Sequence, residues 1–138
     1  MRHQVFGRKL NRDIKERKAL FKNLVISLIT YNKIKTTIAR AKAVQGLVEK
    51  LVFKAREGGE VAIAQVSSFL GRREAIQKLT KIIAPKFKDR IGGYLRIKRI
   101  GKRHGDRAEE VFLEWSEEIE KKKQPKEKIN QPPKQKEV

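Results

Sequence analysis

Residues Tyr94–Trp115, YLRIKRIGKRHGDRAEEVFLEW, decide the fold. Tyr94–Ile100 alternates, with Tyr94, Arg96, Lys98 and Ile100 on one face and Leu95, Ile97 and Arg99 on the other. A two-residue period is the signature of a strand. Gly101–Asp106 (GKRHGD) contains two glycines and reads as a turn, and Glu110–Trp115 (EVFLEW) follows as the antiparallel partner. Most of the chain upstream of this hairpin has a different rhythm.

That rhythm is helical. Asp13 followed by Glu16 has the spacing of a capping box. Beyond it Ile14, Leu20, Phe21, Leu24, Val25, Leu28 and Ile29 recur at three- and four-residue intervals, and Asn32 is a stop. Lys33–Thr37 (KIKTT) alternates and is β-branched, so it reads as a short strand, with Thr37 able to cap the next helix. Ile38, Ala41, Val44, Val48, Leu51, Val52 and Ala55 give that helix its stripe, and Gly58-Gly59 ends it. Glu60–Leu70 predicts a weaker helix stopped by Gly71. Arg72–Ala84 predicts another, with Ala75, Ile76, Leu79, Ile82 and Ile83 inward and Pro85 where it should end. Residues 86–93 read as a loop.

The expected architecture is therefore α+β: a two-layer domain, α-β-α-α-α-β-β, with helices packed on a small three-stranded mixed sheet. Residues 1–12 lack either apolar period and read as an extended basic arm. Residues 13–116 form the globular domain. Residues 117–138 form a Lys/Pro-rich extension, helical for a turn or two and then too poor in apolar groups to fold alone.

Charge narrows the function. Of 138 residues, 35 are Lys or Arg and 16 are Asp or Glu, a formal net charge of +19. Such an excess makes a lone monomer repel itself and is tolerable when a polyanion neutralises it. Residues 104–120 run the other way, with seven acidic groups and one basic, so this stretch is expected to face away from the polyanion or to meet a basic neighbour. With no cysteine and two histidines, neither disulfides nor a closed zinc shell can form. His3 lies in the arm and His104 in a turn, without a fixed acidic partner, and no phosphate loop or nucleophile motif is present. No enzyme activity, cofactor, metal, small-molecule substrate or membrane partner is expected. No apolar run approaches the ~18 residues of a membrane span, and no apolar signal segment opens the chain.

Nucleic acid is the expected polyanion. Arg2, His3, Arg8, Lys9 and Arg12 are the arm's candidates. Arg17, Lys18 and Lys22, with Lys15, lie on the polar face of the first helix, where exposed lysines are also ordinary solvated groups. Lys35, Thr36, Thr37, Arg40 and Lys42 combine cations and hydroxyls at a helix N-terminus, suited to phosphate as well as to simple capping. Arg96, Lys98, Arg99, Lys102 and Arg103 form a basic row along the hairpin. Tyr94 can either stack on a base or pack in the core. Trp115 reads as packing, with its indole N–H near solvent.

Taken together, MRH (1–3), GRKLNR (7–12), RKALFKNLV (17–25), IKTTIARAKAV (34–44), EAIQKL (74–79), DRIGGYLRI (89–97) and GKRHGD (101–106) resemble the L-seventeen family of bacterial large-subunit ribosomal proteins, in order and in spacing. The resemblance runs from Met1 to about Trp115. It implies a structural protein bound to large-subunit (23S-type) rRNA, near the exit of the nascent-chain tunnel, beside other ribosomal proteins; a cytoplasmic ribosome is expected over an organellar one because no presequence is read ahead of the arm. It carries over Arg2, His3, Gly7, Arg8, Lys9, Arg12, Arg17, Lys18, Asn23, Thr36, Thr37, Lys42, Gly92, Gly93, Tyr94, Arg96, Gly101, Arg103 and Asp106. Gln4-Val5-Phe6 replaces more basic residues, Gln45-Gly46 an Arg-Pro pair, and Ile91 a frequent proline. The rival reading is a free-standing DNA- or RNA-binding architectural or regulatory protein. It requires a readout helix offering Asn, Gln or Arg to base edges, whereas the first helix offers mostly Lys.

Overall fold

The computed structural model describes residues 8–119. Its elements are α1 (Ile14–Tyr31), β1 (Lys33–Thr37), α2 (Ile38–Glu57), α3 (Glu60–Leu70), α4 (Arg73–Lys78), a π-turn (Leu79–Ile83), α5 (Ala84–Lys86), β2 (Leu95–Lys102) and β3 (Glu109–Trp115). The order of elements follows the periodicities, and the class is α+β.

The sheet corrects one expectation. It is antiparallel throughout, not mixed, in the order β1-β3-β2. β3 is central and pairs Lys33↔Glu114 through Thr37↔Glu110 on one side and Leu95↔Trp115 through Lys102↔Glu109 on the other. β1 and β2 run parallel to each other but never touch, because β3 lies between them. Only the β2–β3 hairpin has its direction fixed by a short local turn. β1 reaches β3 across three helical segments whose path no local pattern encodes.

The helices cover one face. α2 packs against all three strands and buries Ala41, Val44, Val48, Leu51, Val52 and Ala55. From the sheet, Val111, Leu113, Trp115 and Leu95 are buried, and Ile34 and Ile97 are half-buried against them. α1 contributes Val25, Ile26, Leu28 and Ile29. Ile14, expected inward, is 64 % exposed, because only the later turns of α1 reach the core.

The ends of α1 show how termini are satisfied. Glu16 N–H donates to Asp13 Oδ1 at 2.7 Å and Asp13 N–H to Glu16 Oε2 at 3.3 Å, the reciprocal capping box. Asn32 takes the left-handed conformation (φ 64°) and its N–H donates to Leu28 O at 2.8 Å. α1 has no basic residue in its last turn. The cation comes instead from α4: Lys78 Nζ donates to Thr30 O at 2.9 Å and to Asn32 Oδ1 at 2.7 Å. Thr37 sits at the N-cap of α2, but its side chain makes no capping hydrogen bond.

Pro85 does not end its helix. The turn before it widens to a π-turn, in which Ala84 N–H donates to Leu79 O, and the helix continues to Lys86. Proline lacks an N–H and crowds the carbonyl four residues back, and a wider turn accommodates both defects. The detour delivers Phe87 to the core, fully buried, from a segment that reads as loop. Phe87 meets Tyr94 edge-on with ring centroids 5.1 Å apart, and Trp115 at 5.9 Å.

Two glycines make opposite predictions. Gly58 ends α2 at φ +71°, and a Cβ added there would meet only Arg56 O, at 3.9 Å. Gly58→Ala should therefore destabilise through backbone strain alone, by about 1 kcal/mol, read as a lower denaturant midpoint at unchanged slope. Gly46, within α2, has nothing within 4 Å of the Cβ position and an ordinary helical backbone. Gly46→Ala should stabilise by about 1 kcal/mol, raising the same midpoint.

Candidate nucleic-acid interface

The segment entering α1 is turned, not extended. Leu10 and Asn11 both have φ 52°, Arg12 N–H donates to Lys9 O at 3.2 Å, and Arg12 Nη1 donates to Leu10 O at 3.0 Å. The expectation of an extended arm thus fails for residues 8–12, whose left-handed pair reverses the chain. Arg2 and His3 lie outside the described residues. Arg8 and Lys9 are exposed and continue onto exposed Lys15 and Lys18 and half-buried Arg17. Lys22 is half-buried, with its ammonium 3.0 Å from where a Cβ at Gly71 would stand, at the corner between α3 and α4.

The cluster expected around the start of α2 is divided by the pleat. Thr36 shares the core-side face with Ile34, opposite Val111, while Lys35 and Thr37 lie on the outer face. The two threonine hydroxyls therefore do not act together. Arg40 is half-buried and Lys42 exposed on α2.

The outer face of the sheet is an ion-pair lattice. Glu114 of the central strand meets Lys98 Nζ at 2.6 Å from one side and Lys33 Nζ at 3.5 Å from the other, and Glu110 meets Lys35 Nζ at 3.0 Å. Lys33 also lies 4.0 Å above the Phe112 ring. The acidic stretch does meet a basic neighbour, and the neighbour is this sheet's own edge strands. Lys35 and Lys98, candidates for phosphate, are engaged within the protein. Sequence separation hides this, since Lys33 and Glu114 face each other only once β1 has joined β3. Arg96, across from Glu114, is exposed and forms no ion pair among the described residues. Lys86, absent from the sequence-derived set because it follows Pro85 in apparent loop, lines the same groove as Lys33 and Arg96.

The hairpin tip is the other basic cluster. The strand continues past Arg99 through a bulge in which Ile100 is unpaired and Gly101 takes φ 146°, so the alternation breaks there. Residues 103–108 then close the turn: Arg103 N–H donates to Ala108 O at 2.8 Å and Arg107 N–H to Arg103 O at 3.0 Å. Arg103 grips Asp106 with two hydrogen bonds, Nε to Oδ1 at 3.1 Å and Nη2 to Oδ2 at 2.6 Å, and Ala108 N–H donates to Asp106 Oδ1 at 3.2 Å. The Arg103 hydrogen bond, then that of Ala108, holds the Asp106 carboxyl down at about 2. Arg103 is thus committed to the turn. Arg99, Lys102, His104 and Arg107 stand exposed around it.

Tyr94 is not available to a base. It is 1 % exposed and its hydroxyl donates to Arg90 O at 3.1 Å. Arg90 in turn bonds Gly93 O at 3.2 Å and Ser116 Oγ at 2.9 Å and pairs with Glu117 at 3.3 Å, while Arg56 donates to the Arg90 carbonyl. Trp115 packs as expected, but its Nε1 is buried and unpartnered among the described residues, not near solvent. Among those residues no group of three His, Asp or Glu could hold a metal, and no helix is long and apolar enough to cross a membrane.

A three-stranded sheet backed by helices, with exposed cations at the α1 entrance and around the hairpin tip, defines a small basic α+β protein. The chain belongs to the ribosomal protein L17 family, whose model matches residues 20–116. It is 46 % identical over 114 residues to the large ribosomal subunit protein bL17 of Koribacter versatilis, covering 83 % of this chain and 71 % of that protein. It is 47 % identical over 115 residues to the protein of that name from Campylobacter jejuni, covering 83 % and 98 %. The Dictyoglomus turgidum protein is 46 % identical over 115 residues, covering 83 % and 99 %.

The outer-face lattice predicts an acid response. The hydrogen bond from Lys98 lowers the Glu114 pKa, against partial burial that raises it, and the charges of Lys98 and Lys33 add to the lowering. A carboxylate depressed on folding stabilises above its unfolded value, about 4.3, and that stabilisation is lost as pH falls through the folded value. Tm of the native chain should decline below about pH 4, and Glu114→Gln should lower Tm at pH 7 while flattening that decline, read by calorimetry.

Proposed function

We propose that this chain is a structural constituent of the large ribosomal subunit that binds large-subunit rRNA, near the nascent-chain tunnel exit, beside other ribosomal proteins of a cytoplasmic ribosome. One observation carries the reading: relatives named as large ribosomal subunit proteins are 46 to 47 % identical across 83 % of the chain. The placement of charge supports it. Arg8, Lys9, Lys15 and Lys18 at the α1 entrance, and Arg96, Arg99, Lys102 and Arg107 on the hairpin, are exposed and supply phosphate contacts. Binding is driven by neutralising phosphates and releasing their counterions, while the α+β core fixes where the cations stand.

Two measurements test this. In a lysate sedimented at moderate salt, the chain should travel with large subunits and not with nucleoid or free protein. With about 6 to 10 phosphates engaged, affinity for a large-subunit rRNA transcript should fall roughly 10³- to 10⁵-fold between about 50 and 200 mM salt. Deleting residues 1–12 leaves the Asp13 capping box in place, so helicity by circular dichroism should be native while filter binding to the transcript weakens. Native helicity with undiminished binding would remove the arm from the interface.

A further inference from the structure

The tip of the hairpin poses an electrostatic puzzle. Among its cations stands an exposed carboxylate, Asp106, which a phosphate would repel. Residues 101–107 are all exposed, so no buried side chain holds the turn in shape. The backbone is also demanding, with Gly105 at φ 101° and Arg107, which has a side chain, at φ 54°. Two backbone hydrogen bonds close the turn. Among the described residues, the only side-chain hydrogen bonds across it are the three that Asp106 accepts, two from Arg103 and one from the Ala108 N–H. A two-pronged guanidinium–carboxylate pair fixes orientation as well as distance. An asparagine there could accept from Ala108 but could not accept both guanidinium hydrogen bonds.

We propose that Asp106 is a positioning residue for RNA capture: by gripping Arg103 and the Ala108 N–H it sets the hairpin tip in the shape that presents Lys102, His104 and Arg107 to phosphate. This deepens the rRNA-binding reading and rests on it. The clamp gives up two charges, those of Arg103 and Asp106, and in exchange pre-orders the neighbouring cations, so that less freedom is lost when RNA binds. Arg107 belongs to this turn, exposed, on a left-handed backbone and with its N–H donated to Arg103 O.

The test turns on sign. Asp106→Asn raises the net charge by one, so charge alone predicts tighter binding and a steeper dependence on salt. Positioning predicts the reverse: affinity for a large-subunit rRNA transcript weaker by roughly three- to tenfold, and a salt slope shallower by about one. Full-length native chain, Asp106→Asn, Arg103→Gln and the double variant are compared by filter binding from about 50 to 200 mM salt, with helicity and Tm recorded for each. In the Arg103→Gln background the clamp is already broken, so adding Asp106→Asn should no longer weaken binding. Equal or tighter binding by Asp106→Asn, or the same weakening in both backgrounds, overturns the positioning role while leaving the rRNA reading intact. A native chain with no salt-sensitive affinity for the transcript overturns that reading and the positioning role with it.

Discussion

The alternation along β3 is the constraint on which the rest of the molecule depends. As the central strand it must satisfy two neighbours in backbone hydrogen bonding and two environments in side-chain chemistry. Val111, Leu113 and Trp115 point to the helices and are buried, while Glu110, Phe112 and Glu114 point outward. A register slip of one residue would put two carboxylates into the core and three large apolar groups into water. The pairing with β1 and β2 is thereby pinned, and with it the path of every helix between them.

The same alternation organises charge. In a chain of net charge +19, two acidic residues on the central strand convert the outer sheet face from a bare cationic surface into a lattice with Lys33, Lys35 and Lys98. Among the described residues, exposed cations outside these pairs stand at the α1 entrance, on the hairpin, and along the helices, as at Lys42, Lys50, Arg72 and Lys88. Exposed pairs of this kind add little to stability one by one. Their larger effect is on arrangement, since they hold Lys33, Lys35 and Lys98 against carboxylates of the central strand.

Much of this is legible in the chain itself. The capping box at Asp13 and Glu16, the stops at Asn32, Gly58 and Gly71, and the stripe of α2 are local chemistry, and each stands where its spacing puts it. The differences between pattern and structure share a cause. Pro85 reads as the end of a helix, but a π-turn absorbs it and Phe87 is carried into the core. Tyr94, which alternation alone leaves between two faces, is buried by Phe87 and held through Arg90. Lys35, Lys98 and Arg103 are cations in sequence, yet their partners are found only across strands or across a turn closed by left-handed residues.

Composition and periodicity by themselves determined the class of fold and the order of its elements, because caps and apolar stripes act over a few residues, and net charge, which acts over the whole chain at once, raised the expectation of a polyanion. Tertiary structure alone decided that β1 runs antiparallel to β3 and that Lys33, Lys35 and Lys98 face carboxylates of the central strand. Those outcomes depend on which distant groups come within about 3 Å of each other, the reach of a hydrogen bond, and that distance is set by the packing of helices on the sheet, not by any neighbouring pair of residues.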